Sequence, residues 1–184
     1  AEDVPAGSDG LVMLPYLLPE RAPLWDPELA GAYLGLRMHH TRGHLVRAAV
    51  EGVAMQLGLM VDALDRLRPV SSVRATGGTF RSVLWRQVVA AAVGRPLVVT
   101  GGADGSALGA AALGLLAVGA APDLESALAL LAPRPATPEA DDVPEVASTA
   151  DVARYRALRA SVPGLLSAYD DVARLFAEAG GGQP

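Results

Sequence analysis

The chain of 184 residues contains no cysteine, so it forms no disulfides and does no thiol chemistry, which fits a reducing compartment such as the cytoplasm. It also contains no lysine: all 15 of its basic residues are arginine. A Walker-type phosphate loop needs G-x-x-x-x-G-K-[ST], and lysine Schiff bases and Ser-x-x-Lys catalysis need the same side chain, so all three are excluded. Aromatic residues make up only 4%. Charge of one sign is scarce too: the net charge of −5 gives no electrostatic reason to expect nucleic acid or an acidic membrane surface as partner. With 51% apolar and 19% charged residues, the composition is that of a folded domain or part of a larger one. The start of the chain, A-E-D-V-P-A-G-S-D-G, is acidic and small, unlike a signal peptide. One uncharged run, 105–122, approaches the length of a membrane span, but it is rich in Ala and Gly and bracketed by Asp104 and Asp123. A buried helix packed through small residues is the expected reading.

What is present is most informative between Arg74 and Gly109. Twice, a short apolar run ends in Thr-Gly-Gly and a helix-like segment follows. Glycine pairs let the backbone turn sharply and approach a ligand closely. The free amides at the start of the next helix favour an anion. In the first turn, Gly77 and Gly78 leave room for a purine or ribose, and Thr79, Arg81 and Ser82 offer hydrogen bonds. A bare strand-to-helix turn with no ligand fits the pattern equally well. In the second turn, 101–109, Asp104 or Ser106 can cap the helix, and Gly105 and Gly109 can let it pack closely on a sheet or another domain. That structural role is preferred there over ligand contact.

The expected elements are strands at 10–18, 32–36, 73–76 and 97–100. Helices are expected from an N-cap at Thr41 to about 67, and at 82–93, 106–118, 124–131, 151–160 and 163–177. Alternation in the middle predicts an α/β layer with parallel strands. Residues 133–147 read as a Pro-, Ala- and acid-rich connection, which divides the chain into 1–132 and 133–184. His39, His40 and His44 cluster at the start of the long helix. No H-E-x-x-H pattern is present, so capping or polar contacts are preferred to a metal. Glu20 and Arg21 sit between prolines, where a local surface ion pair or an interdomain anchor is expected. Trp25 and Trp85 read as packing residues. Glu51 interrupts an apolar helix face and needs partners, with Arg47 four residues away as the candidate.

Taken together, several segments carry a resemblance. They are Leu14-Pro15-Tyr16-Leu17, Glu20-Arg21-Ala22-Pro23-Leu24-Trp25-Asp26-Pro27, Gly31-Ala32-Tyr33-Leu34-Gly35-Leu36 followed after seven residues by His44-Leu45-Val46-Arg47-Ala48-Ala49-Val50-Glu51, Ala75-Thr76-Gly77-Gly78, Arg81-Ser82, Leu84-Trp85-Arg86-Gln87 and Gly105-Ser106-Ala107-Leu108-Gly109. In this order the chain resembles the C-terminal part of the FGGY carbohydrate kinases, over most of residues 10–120. The resemblance implies half of an actin- and hexokinase-like (ribonuclease H-like) ATPase fold and ATP- and Mg²⁺-dependent phosphorylation of a sugar, sugar acid or polyol in the cytoplasm. Gly77 and Gly78 would lie against adenosine, Ser82 would take the place of a polar adenine contact, and Gln87 would support its helix. Gly105, Ser106 and Gly109 would meet the other domain at the hinge. Glu20-Arg21-Ala22-Pro23-Leu24-Trp25 with His39-His40-Thr41-Arg42 is most like gluconate kinases, with xylulose kinases next. Pro19 stands where Gly is usual, Ala30 where Arg is common and Ala91 where Asp often follows Ala. The resemblance also implies that the catalytic Asp and most of the sugar site belong to an N-terminal domain outside this chain, so the chain is expected to be an inactive portion that needs that domain. A second reading keeps it as a non-catalytic kinase-derived module for scaffolding or dimerisation, a homodimer included.

Overall fold

The computed structural model describes residues 1–99, 105–131 and 147–179. Strand β1 (Val12–Leu14) pairs antiparallel with β2 (Ala32–Leu34). Both are shorter than their apolar runs suggest. Pro15 lacks the N–H that a ladder needs, and Gly35, at φ +80°, turns the chain out of the extended region. Helix α1 (Arg42–Asp65) follows and forms the spine of the molecule. It is the one helix among the described residues long and apolar enough to cross a membrane, yet here it is a core element. A Cβ on Gly52 would run into the Met13 carbonyl oxygen, so glycine at this point lets α1 lie directly on β1.

The next unit is β3 (Val73–Ala75), a 3₁₀ turn (Gly78–Arg81), α2 (Val83–Val93) and β4 (Leu97–Val99). The strands pair in parallel, Ala75 opposite Val99, as the alternation predicts. Val88 to Val93 of α2 are all buried, and Gly94 ends the helix in the left-handed region. The main core joins Val50, Ala54 and Met55 of α1 to these residues and to Leu97.

Helix α3 (Gly105–Ala117) does not bury itself as its composition suggests. It packs on α4 (Leu124–Leu131) through Ala112, Ala121 and Ala127, while Leu113 stays 62% exposed and Val118, just past its end, 78%. Apolar composition fixes that a helix seeks cover, not that this chain supplies it.

The two expected C-terminal helices are one, α5 (Thr149–Ala179), which runs through Pro163. Its stripe Tyr155, Arg159, Val162 and Leu166 is buried. Burial on both sides of the proline outweighs the lost hydrogen bond there. Arg159 chelates Asp62 of α1, Nε to Oδ2 at 2.7 Å and Nη2 to Oδ1 at 3.0 Å, and Nη1 donates to the Ala92 carbonyl, one of the orphan acceptors at the end of α2.

Candidate functional site

The first Thr-Gly-Gly turn leaves the C-terminal end of β3, the end of a parallel pair where ligands of open α/β sheets bind. Gly77 has φ +108° and ψ 165°, a region open in practice to glycine alone. A Cβ on Gly77 or Gly78 would meet nothing within 4 Å. Among the described residues, then, no side chain plugs the notch, which is bare backbone. Phe80 packs on the main core, and Arg86 Nη1 donates to the Phe80 carbonyl at 3.3 Å, so the turn is fastened from beneath. Thr79 and Arg81 are left exposed. Ser82 is the N-cap of α2, its Oγ accepting from the Trp85 N–H at 3.5 Å. Gln87 is exposed and lines a different hollow of about 270 Å³, with Arg47, Ser148, Asp151 and Tyr155. The second Thr-Gly-Gly turn, residues 100–104, lies outside the described residues. Gly105 opens α3, Ser106 is exposed, and Gly109 has open space where a Cβ would stand.

The loop at Glu20 is built differently from its sequence expectation. Glu20 does not pair with Arg21. It is buried, and its Oε2 accepts from the Trp25 and Leu24 amides at 2.8 and 3.2 Å. Its Oε1 accepts from Gln56 Nε2 at 2.9 Å, and Gln56 Oε1 accepts from the Tyr16 hydroxyl at 2.9 Å. A carboxylate folded back on amides of its own loop organises that loop as a rigid turn. Arg21 is turned to solvent, and Trp25 is 74% exposed, not a packing residue. Trp85 does pack on the main core. Burial, then the Glu20 charge, pushes the Tyr16 phenol up to about 12.

Glu51 finds the partner expected of it and three more. Its Oε1 accepts from Arg47 Nε (2.8 Å), the Tyr155 hydroxyl (2.7 Å) and the Gly7 N–H (2.9 Å); its Oε2 accepts from the Ser8 hydroxyl (2.9 Å). Burial alone would lower the Arg47 pKa, but its bonds to Glu51 and Tyr155 hold it above the ordinary value. Burial, followed by the Glu51 charge, raises the Tyr155 phenol well above its ordinary range. Tyr155 gave no signal in sequence, because it lies 104 residues from Glu51.

The histidines act as caps. Thr41 is the N-cap of α1, and its N–H donates to His44 Nδ1 at 3.0 Å, half of a capping box with histidine in the usual place of Glu or Gln. The Arg37 N–H donates to His40 Nδ1 at 2.9 Å. A backbone N–H only donates, so both Nδ1 atoms accept and each neutral ring carries its proton on Nε2. Both Nε2 atoms face Asp9, His44 to Oδ2 at 3.1 Å and His40 to the carbonyl at 3.4 Å. In this tautomer neither Nε2 has a lone pair to spare.

Two short sheets backed by α1, α2 and α5 make this chain one α/β half of an actin-like ATPase. It belongs to the FGGY family of carbohydrate kinases, matching that family's C-terminal domain over residues 1–118. Over 121 residues it is 46% identical to a gluconokinase of Bacillus licheniformis, which covers 65% of this chain and 24% of that protein. Among solved structures, a xylulose kinase from Rhodospirillum rubrum superimposes with a TM-score of 0.69 at 31% identity, covering 93% of this chain and 33% of that one. A gluconate kinase from Lactobacillus acidophilus gives 0.68 at 29% identity, covering 91% and 32%. The chain thus spans about a quarter of the length of the gluconokinases it matches.

Proposed function

We propose that this chain supplies the nucleotide-binding half of an ATP-dependent kinase that phosphorylates gluconate to 6-phosphogluconate. The observation that carries the reading is the open Gly77–Gly78 backbone at the end of β3, with none of the described residues filling it. Adenosine would lie against that backbone, Thr79, Arg81 and Ser82 would offer polar groups, and Gln87 would support α2. ATP supplies the transferable phosphoryl group. Magnesium would arrive with the phosphates and keep much of its water, so it needs no carboxylate cage in this chain. The base that accepts the substrate proton would be an Asp of the N-terminal domain. That domain would meet the exposed face of α3 at Gly105, Ser106 and Gly109, and Arg21 on the turn that Glu20 holds. The absence of cysteine agrees with a cytoplasmic enzyme.

Gluconate is preferred because the gluconokinase match, 46% over 121 residues, exceeds the 38% over 125 residues to a glycerol kinase of Methylibium petroleiphilum, while the superposed xylulose and gluconate kinases stand level at 31% and 29%. The test is a phosphorylation assay of the full-length protein with ATP and Mg²⁺ against gluconate, xylulose, ribulose and glycerol. The highest kcat/KM is expected for gluconate. Preference for xylulose would move the assignment to a pentulose kinase, and no turnover on any of them would favour a non-catalytic, dimerising module.

A further inference from the structure

The nucleotide proposal makes no use of the histidine cluster at the start of α1. The three rings stand together, with centroids 4.3 Å apart for His39 and His40, 5.2 Å for His40 and His44, and 6.4 Å for His39 and His44. His44 holds the Thr41 N–H through an Nδ1 lone pair that exists only in the neutral ring. We infer that His44 is an acid-sensitive cap: neutral, its Nδ1 accepts from the Thr41 N–H and closes the first turn of α1; protonated, that N–H loses its acceptor, while the ring keeps the Thr41 hydroxyl, 2.9 Å from Nδ1, and its ion pair with Asp9.

The groups around the ring set the direction. A protonated Nδ1 has no lone pair for the Thr41 N–H; its own hydrogen goes to the Thr41 hydroxyl oxygen at 2.9 Å, and the backbone N–H is left without its partner. The ring sits at the third helical position, where a cation opposes the helix dipole. His40 and His39 stand close enough to add repulsion if they too are charged. Arg47, one turn on, is held by Glu51. Among the described residues Asp9 is the carboxylate paired with this cluster, and it is 46% exposed, so its attraction is screened. It also faces Nε2, so it retains the ring without restoring the cap. The joint between β2 and α1 then loosens, while the core beyond Ala48 is untouched.

Amide hydrogen exchange by NMR on the whole chain at pH 7.5 and 5.5, corrected for intrinsic rates, tests this. Thr41 protection should fall about fivefold on acidification, the size of a lost cap. In His44→Gln, an N3 acceptor that does not titrate, Thr41 protection should stay level across the range. Ring nitrogen shifts at pH 7.5 should show the Nε2–H form of His44. Level protection in the unmodified chain, an equal fall in His44→Gln, or an Nδ1–H ring at neutral pH would each overturn the inference.

Discussion

At the scale of single residues, the chain is organised by two buried carboxylates rather than by a catalytic group. Glu51 gathers Arg47, Tyr155, Ser8 and the Gly7 amide, and without it the buried Ser8 hydroxyl and the partly buried Arg47 charge lose the carboxylate that holds them. Glu51→Leu should therefore destabilise the fold by about 3 kcal/mol or more, read from urea unfolding. A loss under 1 kcal/mol would mean that the network is not formed. The raised tyrosines give a pH dependence of defined sign. A phenol whose pKa is higher folded than unfolded holds its proton more tightly in the folded state. The stability it contributes is complete below pH 10, the unfolded value, and is lost as pH rises through the folded value, about 12 for Tyr16. Melting temperature should fall between pH 10 and 12, less steeply in Tyr16→Phe, with Tyr155 accounting for a further part of the slope. Identical slopes would contradict the burial of Tyr16.

At the scale of elements, legibility followed locality. Helix α1 was readable because its apolar spacing and its N-cap, Thr41, are written within a few residues of one another. The same holds for α2, bounded by Ser82 and Gly94, and for the parallel pair on either side of it. The errors have physical causes. Pro163 reads as a break, but Tyr155 and Arg159 before it and Val162 and Leu166 around it are all buried in one continuous stripe. Tertiary burial decided there, not propensity. Pro163→Ala should restore a helical hydrogen bond at an exposed position and raise stability by about 1 kcal/mol or more, seen as a higher melting temperature. No gain would show that α5 is already parted at that point. Glu20 was misread because the neighbour in sequence, Arg21, is not its neighbour in space; Gln56, 36 residues away, is. Helix α3 packs through small residues as expected, but only against α4 among the described residues, because apolar content does not say what covers the other face.

For the molecule as a whole, the order of motifs gave the family, and the comparisons agree with it. What motif order does not convey is the convergence of α1, α2 and α5, since the contacts that fasten α5 span 67 to 104 residues. The turn proposed as a nucleotide seat was legible as a spacing of glycines, but whether its backbone stood open among the described residues depended on the fold. Gly78 gives that claim a clean test. It lies outside the strained φ region, and a Cβ there would meet none of the described residues within 4 Å. Gly78→Leu should leave the melting temperature unchanged. Titration of the full-length protein with ATP should then show affinity at least tenfold weaker in Gly78→Leu, with gluconate affinity unchanged, a loss of about 1.4 kcal/mol from a side chain intruding on the ligand. Equal ATP affinity in the two proteins would contradict a nucleotide seat at this turn.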